Sequence, residues 1–438
     1  MFDFIKWPLA TAMLMGTLAA APSAMARDGD HGDRDRDGRI GHVFIIVLEN
    51  EGFDVTFGPN SLAPFLSKTL PTQGVMLNQY YATGHVSLDN YLAMISGQSA
   101  TLQTRVDCTI YQDFTLTGIT PDGQAIGTGC LYPAAIKTLA DQLKAAGKTW
   151  RGYMEDMGKN PTREQATCGQ PLITINQVSQ VALNQIDGTQ GAETFPGGDQ
   201  YAARHNPFVY FHSLIDSGEC AKHVVNFEHL AQDLAFESTT PNFSFITPNL
   251  CHDGHDGNGT TSKCKNTVEP GGLVSADAFL KTVVPMIQNS PAYKEDGLLI
   301  ITFDESGLTF SGPANAITAP GISCCGQQPG PNLGPLVAGG TPLSTPFELS
   351  NPPFFLNTQG FGGDRTGAVL LSPFLKPGTV SNVPYNHYSM LKTVEDIFGL
   401  DHLGYAGQPG LQGFFGCVNS DISTRSDDQF GQCARDRD

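Results

Sequence analysis

Two pairs of residues with oxygen-bearing side chains each follow an apolar, β-branched run directly. Glu49 stands beside Asn50 after one run, and Asp304 stands beside Glu305 after another. Three carboxylates and one amide carry too much negative charge to lie together at the end of a buried sheet without a cation. We therefore predict that these four residues bind a divalent metal ion. Oxygen ligands favour Mg²⁺, Ca²⁺ or Mn²⁺, whereas a nearby histidine would make Zn²⁺ or iron suitable.

Ser87 is the candidate nucleophile. It begins a helix predicted over 87–96, where apolar residues recur at helical spacing and Gly97 ends the pattern. The first turn of a helix attracts anions and favours an ionised hydroxyl, because its backbone N–H groups are unpaired. His85 could supply a hydrogen bond or a proton, and Gly84 lets the backbone approach a ligand. The alternative is that the serine only caps the helix.

Two further histidines could protonate a leaving oxygen. In the run 252–256, His255 could be the acid while Asp256 orients its ring. His387 is the other candidate, although it could equally be a structural histidine at a helix start. Carboxylates such as Asp253 and Asp256 should raise the pKa of a nearby ring above its ordinary value of about 6.5. We therefore expect a bell-shaped pH profile with its optimum at about pH 5 to 6.

The elements that position these residues alternate between apolar runs and helical patterns. Such alternation predicts an α/β fold, a three-layer α/β/α sandwich around a mostly parallel sheet. The carboxyl ends of parallel strands lie along one edge, so residues distant in sequence should converge there. The run 368–371 should lead in this way to Asn386 and His387. The predicted strands are 43–48, 75–82, 149–153, 243–247, 298–303 and 368–371, and the predicted helices are 65–70, 87–96, one around 136–143, 275–287 with a late break at Pro285, and 389–398.

The domain organisation begins with a segment typical of a cleaved signal peptide over 1–26. Its apolar stretch falls short of the roughly 20 residues that a bilayer span needs. Residues 27–40, rich in Asp, Arg and Gly, should form a linker. We expect residues 41–438 to form the catalytic domain, with an elaboration at about 160–235. A cleaved signal would make the protein secreted or periplasmic.

Composition restricts the partners and the redox state. The net charge of −18 without any basic stripe argues against nucleic acid as a partner. No other long apolar run exists, so stable membrane insertion is not expected. In an oxidising compartment the ten cysteines favour disulfides. Short separations suggest the pairs Cys108 with Cys130, Cys251 with Cys264, and Cys417 with Cys433.

Six ordered blocks of the sequence resemble a known family. It is the phosphoesterase family of bacterial and fungal acid phosphatases and non-haemolytic phospholipases C, within the alkaline phosphatase superfamily. The resemblance spans most of residues 41–415 and implies an alkaline-phosphatase-like fold and a metal-dependent phosphoric ester hydrolase. It assigns Ser87 as nucleophile by position, Glu49, Asn50, Asp304 and Glu305 as metal ligands, and His85, His255 and His387 as neighbours of the phosphoryl group. The blocks begin at His42, Gly84, Ala203, Phe243, Leu298 and Val383.

The chain departs from the family pattern at two places. Acid phosphatases of the family usually show His-Pro-Ser-x-Pro-Asn, where this chain has HVSLDN from His85, so both prolines are replaced. Relatives with two zinc ions have an Asp four residues before a His, where Asn249 and Asp253 stand here. A full two-zinc site is therefore not expected.

The most favoured function is an exported acid phosphatase that hydrolyses phosphomonoesters through a phosphoserine on Ser87. The first alternative is a phospholipase C-type phosphodiesterase, which should carry an exposed apolar rim near the site. A more remote alternative is an inactive exported protein that binds phosphate esters. The expected partner is therefore a small phosphate ester or a phospholipid head group.

Overall fold

The structure is a computed structural model. It describes residues 40–175, 185–190, 198–257, 264, 269–310, 316–333, 343–347 and 354–415. The predicted signal peptide and nearly all of the predicted linker lie outside the described residues. The same holds for Cys417 and Cys433.

An eight-stranded sheet forms the centre of the fold. Its strands are β1 (His42–Leu48), β2 (Val75–Leu77), β3 (Trp150–Met154), β4 (Val224–Asn226), β5 (Phe243–Thr247), β6 (Gly297–Phe303), β7 (Ala368–Leu371) and β8 (Thr379–Ser381). Their order in the sheet is β8-β2-β7-β6-β1-β5-β3-β4. All of these strands run parallel except β7, which is antiparallel to both neighbours. The predicted α/β class with a mostly parallel sheet is thus confirmed.

Helices cover both faces of this sheet. The long ones are α1 (Ser87–Ser96), α2 (Leu139–Ala145), α3 (Gly272–Asn289) and α4 (His387–Phe398). Side chains alternate along β1, so Ile45 packs in a core with α1, α2 and α4, whereas Ile46 packs in a second core with α3. Both faces of the central strands are therefore buried, which explains why these strands are continuous apolar runs.

Helix α3 is longer than predicted, because Pro285 lies within it without ending it. Proline removes one hydrogen bond of a helix. Here Val283, Val284 and Ile287 are buried against the sheet, and this packing holds the last turns in place. The late break predicted at Pro285 was wrong for that reason.

The direction of β7 contradicts one expectation. Its carboxyl end points away from the edge where the other strands end, so the run 368–371 does not lead to His387 along that edge. The amino end of β7 lies there instead and brings Asp364. His387 is reached through β8, which runs parallel to β2, and through Tyr385–Asn386, which pairs with Tyr80–Tyr81. That short pairing also splits the strand predicted over 75–82.

The remaining elements are short. The segment expected as an elaboration, 160–235, supplies the edge strand β4. The short α-helices are Phe53–Thr56, Leu70–Gln73, His212–Ile215, Glu219–His223, Leu230–Asp233 and Pro291–Asp296, and Phe65–Thr69 is a π-helix. The 3₁₀-helices are Thr104–Val106, Ala203–His205, Pro207–Tyr210, Phe227–His229, Glu237–Thr239 and Gly404–Gly407. The small sheets contain Thr115–Ile119 with Ala125–Thr128, Ile173–Ile175 with Gln185–Asp187, and the four strands Thr309–Phe310, Ala316–Ala319, Leu343–Phe347 and Phe354–Thr358.

Disulfides join loops around the sheet. The predicted pairs Cys108–Cys130 and Cys251–Cys264 are both confirmed. Two further pairs, Cys168–Cys220 and the adjacent Cys324–Cys325, were not predicted. In the described part of the chain, none of the helices combines the length and apolar character of a bilayer span.

Candidate active site

Three carboxylates converge at the carboxyl edge of the sheet. Glu49 follows β1, Asp304 follows β6, and Asp253 lies in the loop after β5; all three are fully buried. The backbone holds them together, because the Glu49 N–H donates to the Asp253 carbonyl at 2.8 Å and the Asp304 N–H donates to the Leu48 carbonyl at 2.8 Å. The convergence predicted for Glu49 and Asp304 is therefore present in the structure.

Ser87 lies directly against this cluster. Its hydroxyl donates to Glu49 Oε2 at 2.7 Å, and the side-chain amide of Asn50 donates to the same oxygen at 2.9 Å. The Tyr91 hydroxyl, one turn later on α1, donates to Glu49 Oε1 at 2.6 Å. Only 4% of the Ser87 surface is exposed. The serine is thus held against a carboxylate that can accept its proton.

Ser87 is the first residue of α1 rather than its cap, which is Val86. Val86 has φ +79°, a conformation that β-branched residues rarely adopt. Its N–H donates to Glu305 Oε1 at 3.1 Å, and the Leu88 N–H donates to Asp107 Oδ1 at 3.0 Å. Carboxylates therefore occupy two of the backbone donors that were expected to be unpaired here. The turn is strained, as is common where a structure fixes a functional residue.

Asn90 holds that turn in place from within α1. Its Oδ1 accepts the N–H groups of Thr83 and Gly84 at 2.9 and 3.0 Å. Its Nδ2 donates to the carbonyls of Gly84 and Val86 at 3.0 and 3.3 Å. One amide thus satisfies four backbone groups in the segment that leads to Ser87.

We expect Asn90→Ala to lower turnover about tenfold or more, because the freed turn no longer presents Ser87 at a fixed position. The unpaired backbone groups should also cost about 1–3 kcal/mol of stability. Asn242→Ala is the matched control, since Asn242 Oδ1 accepts the Thr149 N–H at 3.0 Å near the start of β5. The control should lose stability and keep its turnover in a phosphate-release assay. Equal turnover losses in both variants would mean that Asn90 acts only on stability.

Among the described residues, positive charge compensates the carboxylate cluster only in part, because burial outweighs the effect of Arg204 on Asp253. Burial raises the pKa of Glu49 well above its ordinary value, and the charges of Asp304 and Asp253 raise it further. Burial likewise raises the pKa values of Asp253 and Asp304. Oδ2 of Asp304 and Oδ2 of Asp253 are buried without a hydrogen-bond partner among the described residues. Such acceptors indicate a missing positive charge at this place.

The predicted ligand set fits a cation in part. Glu49 and Asp304 lie in the cluster, whereas both oxygens of Glu305 are engaged, by His85 Nδ1 and by the Val86 N–H. Among the residues that the structure describes, no three His, Cys, Asp or Glu side chains are arranged as a formed metal site. The chemistry of the donors nevertheless suits a hard cation, because burial disfavours the charged form of these carboxylates and a bound cation would offset that cost.

The predicted catalytic histidines lie in different surroundings. His85 is buried between Glu305 and Asp364. His255 is exposed as a whole residue although protein atoms surround its ring, and Asp256 lies close enough to raise its pKa. His387 is fully buried at the start of α4.

The pKa expected for two of these rings was wrong in direction. Burial lowers the pKa of His387 to about 4, against the hydrogen bond to the carbonyl of Asp304. The protein atoms around His255 also lower its pKa, and Arg204 adds to that effect against Asp256. Desolvation therefore outweighs the carboxylates on which the expectation rested. The predicted acid pH optimum no longer follows from these two rings.

A stability test follows from the depressed pKa of His387. Its ring gains a proton more readily in the unfolded chain, so the stability it contributes is complete above pH 6.5 and is lost as pH falls toward about 4. The loss should reach on the order of 3 kcal/mol. We expect melting temperatures measured across this range to fall less steeply for His387→Gln than for the wild type. Parallel curves would show that folding does not lower the pKa of this ring.

His205 and Arg204 were missed by the sequence reasoning. His205 stacks on Tyr91 with ring centroids 5.3 Å apart, and its Nε2 lies 3.3 Å from Glu49 Oε1. Arg204 is buried, and its Nε lies 3.5 Å from Asp107 Oδ2. Both residues stand in the block that begins at Ala203, where an arginine directly before a histidine was the signal available in the sequence.

Comparison with known proteins gives the family. The sequence profile described as the phosphoesterase family matches residues 59–401, which is most of the chain. The chain belongs to the phosphoesterase family. The family predicted from the six blocks is confirmed.

Individual relatives share between a fifth and a third of their aligned residues with this chain. A probable acid phosphatase of Kluyveromyces lactis is 28% identical over 361 residues, which cover 82% of this chain and 59% of that protein. A phosphatidylinositol-3-phosphatase of Mycobacterium tuberculosis is 22% identical over 365 residues, covering 83% and 79% of the two chains. The chain spans about half the length of the fungal acid phosphatases that it matches. The solved structure of human ectonucleotide pyrophosphatase/phosphodiesterase 5 aligns with a TM-score of 0.45 at 10% identity, covering 88% of this chain and 100% of that one.

Proposed function

We propose that this phosphoesterase hydrolyses phosphomonoesters through a phosphoserine on Ser87. The observation that carries the proposal is the hydrogen bond of 2.7 Å from the Ser87 hydroxyl to Glu49 Oε2. It places a nucleophile and a proton acceptor together at the edge of a parallel sheet, where α/β proteins bind ligands. In support, several homologues are named acid phosphatases.

The residues of the chain divide the work as follows. Ser87 Oγ attacks phosphorus as the P–O bond to the leaving alcohol breaks, and the serine proton leaves along its hydrogen bond to Glu49 Oε2. Asn90 fixes the turn before Ser87. His255, with Asp256 beside it, lies at the exposed side of the cluster, where it can meet the leaving oxygen. Water then attacks phosphorus, the bond between Ser87 Oγ and phosphorus breaks, and the serine takes up a proton as inorganic phosphate leaves.

Glu49 and Asp304, with Asn50 beside them, would hold a divalent cation, and Asp253 is a further candidate ligand. When bound, such an ion supplies Lewis acidity that offsets charge on the phosphoryl oxygens. The unpartnered oxygens of Asp304 and Asp253 support this assignment. Glu305 faces His85 and the Val86 N–H, so we place it beside the cation site as a support for the turn.

In this proposal His387 has a structural role, because it holds the backbone beside the carboxylate cluster. Its Nε2 donates to the Asp304 carbonyl at 2.6 Å, and its Nδ1 faces the Tyr80 hydroxyl at 2.9 Å. A neutral ring satisfies both contacts, donating at one nitrogen and accepting at the other. The ring therefore fixes the backbone at Asp304 rather than donating a proton to the substrate.

Export is part of the proposal. The predicted signal peptide over 1–26 and the disulfides both suit a secreted or periplasmic enzyme. The proposed substrate class is a small phosphate ester. This class includes phosphorylated lipid head groups, and the name of the mycobacterial relative gives such a substrate for that protein.

An assay with three substrates tests the function. The protein as exported, loaded in turn with Mg²⁺, Mn²⁺, Ca²⁺ or Zn²⁺, is given p-nitrophenyl phosphate, bis-p-nitrophenyl phosphate and a phosphatidylcholine analogue. We expect the monoester to be hydrolysed most rapidly. Preference for the diester or the lipid would favour the phospholipase C-type alternative, and binding without turnover would favour a phosphate-ester-binding protein.

A further inference from the structure

The imidazole of His85 lies between two carboxylates, and the second of them has no part in the function proposed above. His85 Nδ1 contacts Glu305, and His85 Nε2 lies 3.0 Å from Asp364 Oδ2. Less than 2% of the surface of His85 is exposed. Because both ring nitrogens face carboxylates, the ring cannot also donate to a substrate without losing one of these partners.

Asp364 is held from several sides. Its Oδ1 accepts the Ile322 N–H at 2.6 Å, and its own N–H donates to the Ile322 carbonyl at 3.1 Å. The Asp364 carbonyl accepts the Ala82 N–H at 3.0 Å. The residue also has φ +64°, in the left-handed region that non-glycine residues seldom occupy. A strained backbone conformation fixed by its neighbours is a common feature of residues that serve a site.

The direction of β7 brings Asp364 to the site. Because this strand is antiparallel to its neighbours, its amino end lies at the edge where the other strands end. Asp364 precedes that amino end, and the turn before Ser87 lies next to it, since the Gly363 N–H donates to the Ala82 carbonyl at 3.1 Å. Asp364 is thus anchored to Ala82, which lies just before the turn, and to Ile322 in a separate loop.

We propose that Asp364 is a positioning residue that fixes the ring of His85, and through it Glu305 and the turn that carries Ser87. The last link is the Val86 N–H, which donates to Glu305 Oε1 at 3.1 Å. The proposal rests on the function assigned to Ser87 above. In metal enzymes, residues that orient the groups of a site typically change activity about 10- to 100-fold when they are replaced.

A double-mutant cycle with His85 tests this inference. Asp364→Asn keeps an oxygen for the Ile322 N–H but turns the other oxygen into an amide that cannot accept from His85. We expect kcat to fall about 10- to 100-fold with KM little changed. In a His85→Gln background the same substitution should have no further effect, because the ring through which Asp364 acts is gone. A fall of equal size in both backgrounds, or no fall in the first, would overturn the proposal.

Asp296→Asn is the matched control. Asp296 Oδ1 lies 2.5 Å from His42 Nδ1, in another His–Asp pair at the amino end of β1, far from Ser87 in the strand direction. The control should keep its turnover. Its melting temperature shows how much stability is lost when a His–Asp pair is broken away from the site. If Asp364→Asn does not fold, Asp364→Ser replaces it in the double-mutant cycle with His85→Gln.

A proton spectrum separates this inference from the proposed function. The hydrogen-bonded ring N–H of His85 should give a downfield signal that is absent in His85→Gln. Asp364→Asn should shift or broaden this signal, and Asp296→Asn should leave it unchanged. An unshifted signal in Asp364→Asn would overturn the positioning role even if the wild type hydrolysed no phosphate ester.

Discussion

Ser87→Ala should abolish phosphate-ester hydrolysis while the protein keeps its fold. The substitution removes the hydroxyl that donates to Glu49 Oε2 and leaves the backbone of α1 unchanged. Glu49 keeps its hydrogen bonds from Asn50 and Tyr91, so the loss of stability should be about 1 kcal/mol. Removal of a nucleophile costs far more in rate, on the order of 10⁴-fold or beyond.

Two further variants sharpen this expectation. Ser96→Ala removes another buried hydroxyl of α1, one that donates to the Leu92 carbonyl at 2.6 Å, and it should keep near-normal activity. Ser87→Thr keeps the hydroxyl and should recover part of the turnover that alanine loses. If Ser87→Ala retained activity close to that of Ser96→Ala, Ser87 would not be the nucleophile.

Asp304→Asn should remove the response of the protein to divalent cations together with its activity. Asp304 Oδ1 accepts the N–H groups of Asn50 and Glu305 at 2.9 and 2.6 Å, and asparagine can keep both bonds. The change falls on Oδ2, which has no hydrogen-bond partner among the described residues. An NH₂ group there cannot ligate a cation, so only the binding function is lost.

The measurement is the melting temperature with and without added cation, alongside elemental analysis. A ligand that binds only the folded state stabilises it by about 2.7 kcal/mol at 100 times its Kd. The wild type should therefore melt at a higher temperature with the cation, and the variant should not respond. Without cation, the variant should be at least as stable as the wild type, because one buried charge is gone.

Asp277→Asn is the control for this experiment. Asp277 is buried and its Oδ1 accepts the Leu66 N–H at 2.9 Å, but it lies on α3, away from the cluster around Glu49. It should keep the cation response and the activity. Full metal occupancy in Asp304→Asn, with activity retained, would place the cation elsewhere.

The sequence was most informative where an apolar strand ends in polar residues. Burial on both faces makes β1 and β6 continuous apolar runs, so the positions of Glu49 and Asp304 at one edge followed from pattern alone. The helix that starts at Ser87 was predicted at the bounds Ser87–Ser96 because its apolar residues recur with the helical period and Gly97 ends the pattern.

Other parts of the site depend on contacts that no local pattern carries. A run of four apolar residues does not show in which direction a strand lies in the sheet. The antiparallel direction of β7, and hence the place of Asp364, could therefore not be predicted. His205 reaches Glu49 by stacking on Tyr91, a contact between distant segments. The pKa of His387 is set by complete burial, which the sequence around it does not show.

The stereochemistry of phosphoryl transfer tests the phosphoserine most directly. A phosphate monoester made chiral with oxygen isotopes is given to the metal-loaded enzyme together with an acceptor alcohol, and the configuration of the new ester is determined. Attack by Ser87 followed by attack of the alcohol on the phosphoserine inverts phosphorus twice, so net retention is expected. Net inversion would mean a single direct displacement and would contradict a covalent intermediate on Ser87.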